Sequence, residues 1–288
     1  MGRYTYKIQN GRRIGLLRTA HGDVSFPTFM PVTTFGEKYP LDKLIQPYLK
    51  RLSQCMMVSH FYAQQMKKRP QMPLFIDSGG FAGLFEGAEF VEQADYACIK
   101  TKEGDEINPL DVLEFQERNA DIGATLDAII PPGLDEKEGI RRQRITIKNA
   151  LYSLKHLKSK ELILYASLQC WDEASARYTA KIYADAGFEG IAIGGMVPRA
   201  KDVEYMKNIV HAVRDEAPNC AIHVFGCGNM ETIPILIEQG ADSFDSSSYV
   251  RNAVDKQSSS GMMGVHTGLW EAIFELKKLE KYNFGTIL

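Results

Sequence analysis

A chain of 288 residues with 44% hydrophobic side chains can bury a full core and is long enough to close one large α/β barrel. Its net charge of −2 excludes a uniformly basic surface, so any contact with a polyanion must be local. The amino terminus is polar and no apolar run approaches bilayer length, which predicts a soluble, cytoplasmic protein without a membrane partner. Five cysteines (Cys55, Cys98, Cys170, Cys220, Cys227) are scattered without CxxC spacing, against both a disulfide framework and a zinc knuckle.

The chain opens on a predicted hairpin from Tyr4 to Leu17 with Asn10-Gly11 as its turn. A second extended piece follows His21-Gly22-Asp23 and runs into Phe29-Met30-Pro31-Val32. From there apolar runs read as strands at 28–32, 55–61, 73–78, 122–127, 162–169, 190–194, 221–226 and 243–247. Amphipathic helical patterns lie between most of them, at 41–53, 109–119, 136–158, 172–187, 201–216 and 230–239, with a last one at 266–281. No linker, repeat or low-complexity tract breaks this alternation, so a single domain over 1–288 is expected. Eight strands alternating with helices favour a closed (β/α)8 TIM barrel over an open doubly wound sheet. No GxGxxG opens a first helix, which weakens a dinucleotide-binding reading.

In such barrels chemistry gathers at the carboxyl ends of the strands. Three of these ends carry acids: Asp77, followed at once by Ser78-Gly79-Gly80-Phe81, then Asp127 and Asp245. Gln169, Gly194-Gly195 and Gly226 occupy others. Acids at strand ends also cap the helices that follow, but three of them together suggest one assembled site. A carboxylate can attack an electrophilic sugar carbon and hold a covalent glycosyl intermediate, or accept paired N–H bonds from the edge of a guanine-like base. Gln169 offers a donor and an acceptor suited to a purine carbonyl or ring nitrogen. Gly194 and Gly195 can present bare backbone N–H groups, and Phe81 and Phe225 can supply faces for a base to stack on, although Phe in a barrel is commonly core. Gly226-Cys227-Gly228 before a helix is a short, weak phosphate-cradle pattern and points to an alternative phosphosugar enzyme.

The segments Phe75 to Phe81, Gly190 to Pro198 and Gly240 to Tyr249 resemble the guanine transglycosylases, which exchange a polynucleotide guanine for a 7-deazaguanine. The likeness continues in Gly11 to Pro31, Asp111 to Gln116, Asp121 to Pro132 and His223 to Gly226, and its flavour is archaeal, notably in Phe244-Asp245-Ser246. The resemblance implies a TIM barrel and a pentosyltransferase. It implies Asp245 as nucleophile, Asp77 as the acid/base carboxylate beside it with Ser78 in the same loop, Asp127 and Gln169 as readers of the base edge, Gly194-Gly195 as backbone contacts, and Phe81 and Phe225 as stacking residues.

Departures from the family pattern shape the expected partner. The family carries a zinc subdomain of three closely spaced cysteines and a histidine near its carboxyl end, whereas no cysteine follows Asp245 here and His266 stands alone. Neither a metal nor another cofactor is therefore expected. Ala82 also replaces a glutamine common in the family. A barrel without the zinc lobe is similar to short paralogues of phages and bacteria that insert 7-deazaguanines such as 7-cyano-7-deazaguanine into DNA. That likeness favours DNA over tRNA as substrate, with a reduced tRNA enzyme or a non-catalytic binding subunit as alternatives. Phosphate contacts are expected from Arg141, Arg142 and Arg144 on a helix face carrying no acid between 141 and 160, and from Arg199, Lys201 and Arg251.

Overall fold

A computed structural model describes residues 2–257 and 264–282. At the amino end, β1 (Tyr4–Gln9), β2 (Arg12–Thr19) and β3 (Gly22–Phe26) form an antiparallel sheet. Gln9 pairs with Arg12, leaving Asn10-Gly11 as a two-residue turn with both residues at positive φ, the geometry this dipeptide favours. The expected extended piece up to Val32 divides at Pro27, which has no N–H to give a ladder. Beyond it β4 (Thr28–Thr33) enters a different sheet.

There follow α1 (Asp42–Leu52), β5 (Met56–Ser59), the one-turn α2 (His60–Ala63) and β6 (Leu74–Asp77), then β7 (Glu89–Glu92), β8 (Ala97–Lys100) and β9 (Glu106–Ile107). The chain continues with α3 (Pro109–Asn119), β10 (Ile122–Ala124), α4 (Glu136–His156), β11 (Ile163–Leu168), α5 (Glu173–Ala186), β12 (Gly190–Ile193) and α6 (Val203–Glu216). Last come β13 (Ala221–Val224), α7 (Thr232–Glu238), β14 (Ser243–Ser246), α8 (Ser248–Gln257) and α9 (Gly264–Leu279). Strands β4, β5, β6, β10, β11, β12, β13 and β14 are parallel neighbours, and β14 pairs back to β4. This is the closed (β/α)8 barrel that the alternation predicts, with every expected strand in place.

Helix ends follow local chemistry. Asn108 accepts from the Leu110 N–H ahead of Pro109 in the first turn of α3, and Asp172 and Ser175 form a reciprocal capping box on α5. Period-two alternation then sorts the barrel strands into two cores. Phe29, Val58, Ile76, Ile193, Val224 and Phe244 face outward into the helix layer. Met30, Met57, Phe75, Tyr165 and Ala192 face inward, where Tyr4, Leu17, Val24 and Phe26 of the amino-terminal sheet join them. Each fully buried Ile or Phe contributes about 1.5–3 kcal/mol. The amino-terminal sheet thus seals one end of the barrel, and the carboxyl ends of the strands form the opposite rim.

Residues 89–107, where the sequence pattern predicts no element, form the antiparallel sheet β7-β8-β9. Asn149 of α4 fastens it to the barrel: its amide accepts from Ala97 N (2.7 Å) and donates to Ala97 O (3.0 Å) and Leu126 O (3.2 Å). No helix among the described residues is long and apolar enough to cross a membrane.

Candidate active site

Asp77 is the last residue of β6, in register with Ser59 of β5. The chain turns immediately, and Asp77 Oδ1 accepts the N–H of Gly79. Ser78 Oγ donates to Asp127 Oδ1 at 2.9 Å, which ties this turn to the segment leaving β10. A Cβ at residue 80 would collide with Asp127 Oδ1, so only glycine lets the turn approach so closely. Behind both strands, the Gln116 amide of α3 donates to Ile76 O (3.0 Å) and Ala124 O (2.9 Å).

Asp127 is buried at 6% exposure. Besides Ser78 it accepts from Gln169 Nε2 at 2.6 Å, while Gln169 Oε1 accepts from Ile130 N at 3.2 Å. A Cβ on Gly194 would collide with Gln169 Nε2, so the β12 terminus packs its bare backbone against this pair. Although it follows a strand end, the Asp127 carboxylate is enclosed by Ser78, Gln169 and Gly80.

Asp245 comes from β14, where Ser243 and Asp245 face the barrel interior and Phe244 between them faces the helices. Its Oδ1 accepts from Gly226 N at 2.8 Å and lies 3.1 Å from His223 Nε2. Both contacts fall on one carboxylate oxygen. Phe225 is half-buried, with its ring 4.9 Å from that of His223 and 6.1 Å from that of Phe75. Phe81 is 62% exposed and packs edge-on against Phe85 at 5.7 Å.

Burial at this rim shifts the protonation of Asp77 and Asp127. Burial, opposed by the Gly79 hydrogen bond and reinforced by the charges of Asp127 and Asp245, raises the Asp77 pKa to about 7. Burial also raises Asp127, with Gln169 and Ser78 holding it back. A group balanced near neutral pH can both give and take a proton.

The structure brings together Asp77, Ser78, Asp127, Gln169, Gly194 and Gly195. Asp245 is coupled to them through its effect on Asp77, with Phe225 beside it across His223. The basic residues divide. Arg199 donates to Gly195 O (2.9 Å) and Ile130 O (3.2 Å) and lies over the Tyr205 ring, so it braces the loop after β12. Lys201 and Arg251 are exposed. The expected unopposed basic face on α4 is corrected: Glu92 of β7 pairs with Arg141 (2.9 Å) and Arg144 (3.1 Å), and Glu138 pairs with Arg142 (2.9 Å) and Arg141 (3.2 Å). Sequence reasoning also missed His223 and Ser243 as neighbours of Asp245. The available signal was a lone histidine on the inward face of the apolar strand Ala221-Ile222-His223-Val224.

The zinc cluster that the resemblance implies does not fit this chain. All five cysteines are free, buried and dispersed, none lies beyond Cys227, and the side chain of His266 lies outside the described residues. No group of three or more His, Cys, Asp or Glu among the described residues is arranged to hold a metal ion.

A closed parallel barrel with buried acids on its carboxyl-end rim defines a class of site. Residues 9–271 match the family described as queuine tRNA-ribosyltransferase, and the chain belongs to that family. It is 27% identical over 252 residues to the tRNA-guanine(15) transglycosylase of Methanocaldococcus jannaschii, covering 84% of this chain and 38% of that protein. The tRNA-guanine(15) transglycosylases of Methanothermobacter thermautotrophicus (26% identical; 84% and 36% covered) and Pyrococcus abyssi (25%; 88% and 43%) are similar in the same way. The chain thus matches about two fifths of the length of these relatives.

Proposed function

We propose that the chain is a guanine-exchange pentosyltransferase that replaces a guanine of tRNA with a 7-deazaguanine such as 7-cyano-7-deazaguanine. The observation that carries this is the trio of carboxylates at one rim, Asp127 and Asp245 buried and Asp77 half-buried, with Asp245 anchored among the described residues through Oδ1 and Asp77 balanced near pH 7. Asp245 Oδ2 attacks C1′ of the target nucleotide, the C1′–N9 bond breaks, and the electron pair stays on the departing base. Asp77, in its protonated form, supplies the proton that neutralises this base. Asp77 carboxylate then takes the N9 proton of the incoming base, whose N9 attacks C1′ and releases Asp245. Asp127 accepts from the N1 and N2 hydrogens shared by guanine and 7-deazaguanines, Gln169 faces the carbonyl or imidazole side, and Phe225 borders the base. Adenine offers an unprotonated N1 and no N2 amino group, so the buried Asp127 carboxylate loses both bonds from the base, at about 1–3 kcal/mol or more for each.

The DNA substrate expected from the missing cysteines yields to tRNA, because the named relatives are tRNA-guanine transglycosylases. Lys201 and Arg251, exposed after β12 and β14, are the phosphate contacts retained in this reading. The test offers tRNA and duplex DNA, each labelled in guanine, to the protein with 7-cyano-7-deazaguanine. Label should leave tRNA, a denaturation-resistant protein–RNA adduct should form, and Asp245→Asn should form none. Release from DNA alone would reinstate DNA, and release from neither would refute base exchange.

A further inference from the structure

One buried group beside the nucleophile takes no part in these steps. His223 lies in β13 with no exposed surface, its ring packed against Phe75 (5.0 Å between centroids) and Phe225 (4.9 Å). Its Nδ1 is 2.9 Å from Ser243 Oγ, and its Nε2 is 3.1 Å from Asp245 Oδ1. Strand register produces this arrangement: His223 pairs with Ser243, and Asp245 follows two residues later on the same inward face of β14.

The chemistry of the partners sets the hydrogens. A carboxylate oxygen only accepts, so Nε2 carries the proton. In a neutral imidazole Nδ1 is then the acceptor, and the Ser243 hydroxyl donates to it. Gly226 N–H gives Oδ1 its second bond. The two oxygens of a carboxylate are equivalent until donors distinguish them, and here both donors choose the same one. A filler of the barrel centre would need only a ring. This ring has both nitrogens matched to neighbours in register.

We infer that His223 is a positioning residue for the nucleophile: with Gly226 N–H it pins Asp245 Oδ1 and so aims Oδ2 at the sugar carbon, while Ser243 holds the imidazole in the tautomer that donates. This rests on Asp245 being the nucleophile proposed above. The variants His223→Phe, which keeps the ring and removes both bonds, and His223→Gln, whose amide N–H reaches the place of Nε2, separate the roles. Single-turnover adduct formation on tRNA, KM for the free base and the melting temperature are measured together. His223→Phe should slow adduct formation at least tenfold with the base KM within twofold, and His223→Gln should recover most of the rate. In the wild type, 15N histidine spectra should show the Nε2–H tautomer at the resonance that disappears in His223→Phe.

A wild-type rate in His223→Phe, equal slowing in both variants, or an Nδ1–H tautomer would overturn the inference. Should His223→Phe not fold, Ser243→Ala decides, since it frees Nδ1 and leaves the ring in place. Slower adduct formation at unchanged KM supports the positioning role, and an unchanged rate refutes it. Asp245→Asn in the same assay separates the two claims. If that variant still forms adduct, the nucleophile is misplaced. If it forms none while His223→Phe is unaffected, only the positioning role fails.

Discussion

The two ends of the barrel treat buried acids in opposite ways. At the sealed end, Asp121 lies just before β10 and Asp242 just before β14. Asp121 accepts from Arg69, from Leu74 N (2.9 Å) and from His21 Nδ1 (2.8 Å). Asp242 accepts from Arg214 (2.8 Å), Tyr4 Oη (2.9 Å) and Ile222 N (2.7 Å), with Arg13 at 3.5 Å. At the open rim, Asp127 and Asp245 stand beyond or within the same strands, and Asp77 beside them. Among the described residues no Lys or Arg pairs with any of the three. A buried carboxylate without a cation is expensive, and that expense falls on Asp127 and Asp245 at the rim, as it does on Asp42, which Thr33 and Thr34 hold. Pairing with arginine thus separates the acids of the sealed end from the three acids of the rim.

The sharpest way to break this contrast is to exchange consequences between the ends. Asp242→Ala would leave Arg214 and Arg13 buried without their partner. It should cost about 3–5 kcal/mol of stability, read from denaturant midpoints. Asp127→Asn preserves shape but places an amide N–H among donors. It should lower exchange roughly 10²–10³-fold, with a far smaller loss of stability, measured as exchange rate and melting temperature on one preparation. If Asp127→Asn unfolds the chain as Asp242→Ala does, the distinction between the ends is lost.

A titration sharpens it further. Asp77 has an ordinary value of 3.8 and is raised to about 7 in the fold. Between those values the folded chain binds a proton that the unfolded chain has released, so its contribution to stability falls as pH rises from about 4 to 7 and is constant above. The decline should be on the order of 1–3 kcal/mol and should disappear in Asp77→Asn, by comparing unfolding midpoints of the two proteins at pH 5 and pH 8. Adduct formation should fall over the same upper range, as the proton for the leaving base is lost. The smallest effect is expected at α4, where Arg144→Ala breaks an exposed pair with Glu92. Stability should change by about 0.2–1 kcal/mol and tRNA affinity by less than twofold. A large, salt-dependent loss of affinity would return that face to the RNA contact.

Much of this architecture was legible before any coordinates. The eight strands and the helices between them follow from alternation and period, and the Asn10-Gly11 hairpin from turn chemistry. The strands β7 to β9 were not, because they are short and charged and are held by Asn149, 52 residues along the chain from Ala97. The same distance concealed Glu92, which neutralises a face that looks purely basic from Arg141 onward. At the site, residue type and strand ends pointed to the three acids. The partners of Asp245 depend on the pairing of His223 with Ser243, which no local pattern carries.

Gln116 has a consequence for precision. One side-chain amide holds the ends of β6 and β10, the strands that lead to Asp77 and Asp127. A thermal displacement of α3 therefore moves both ends in the same direction. The spacing between Asp77 and Asp127 is thereby tied to one shared contact, so a shift of α3 acts on both strand ends as a mechanical common mode.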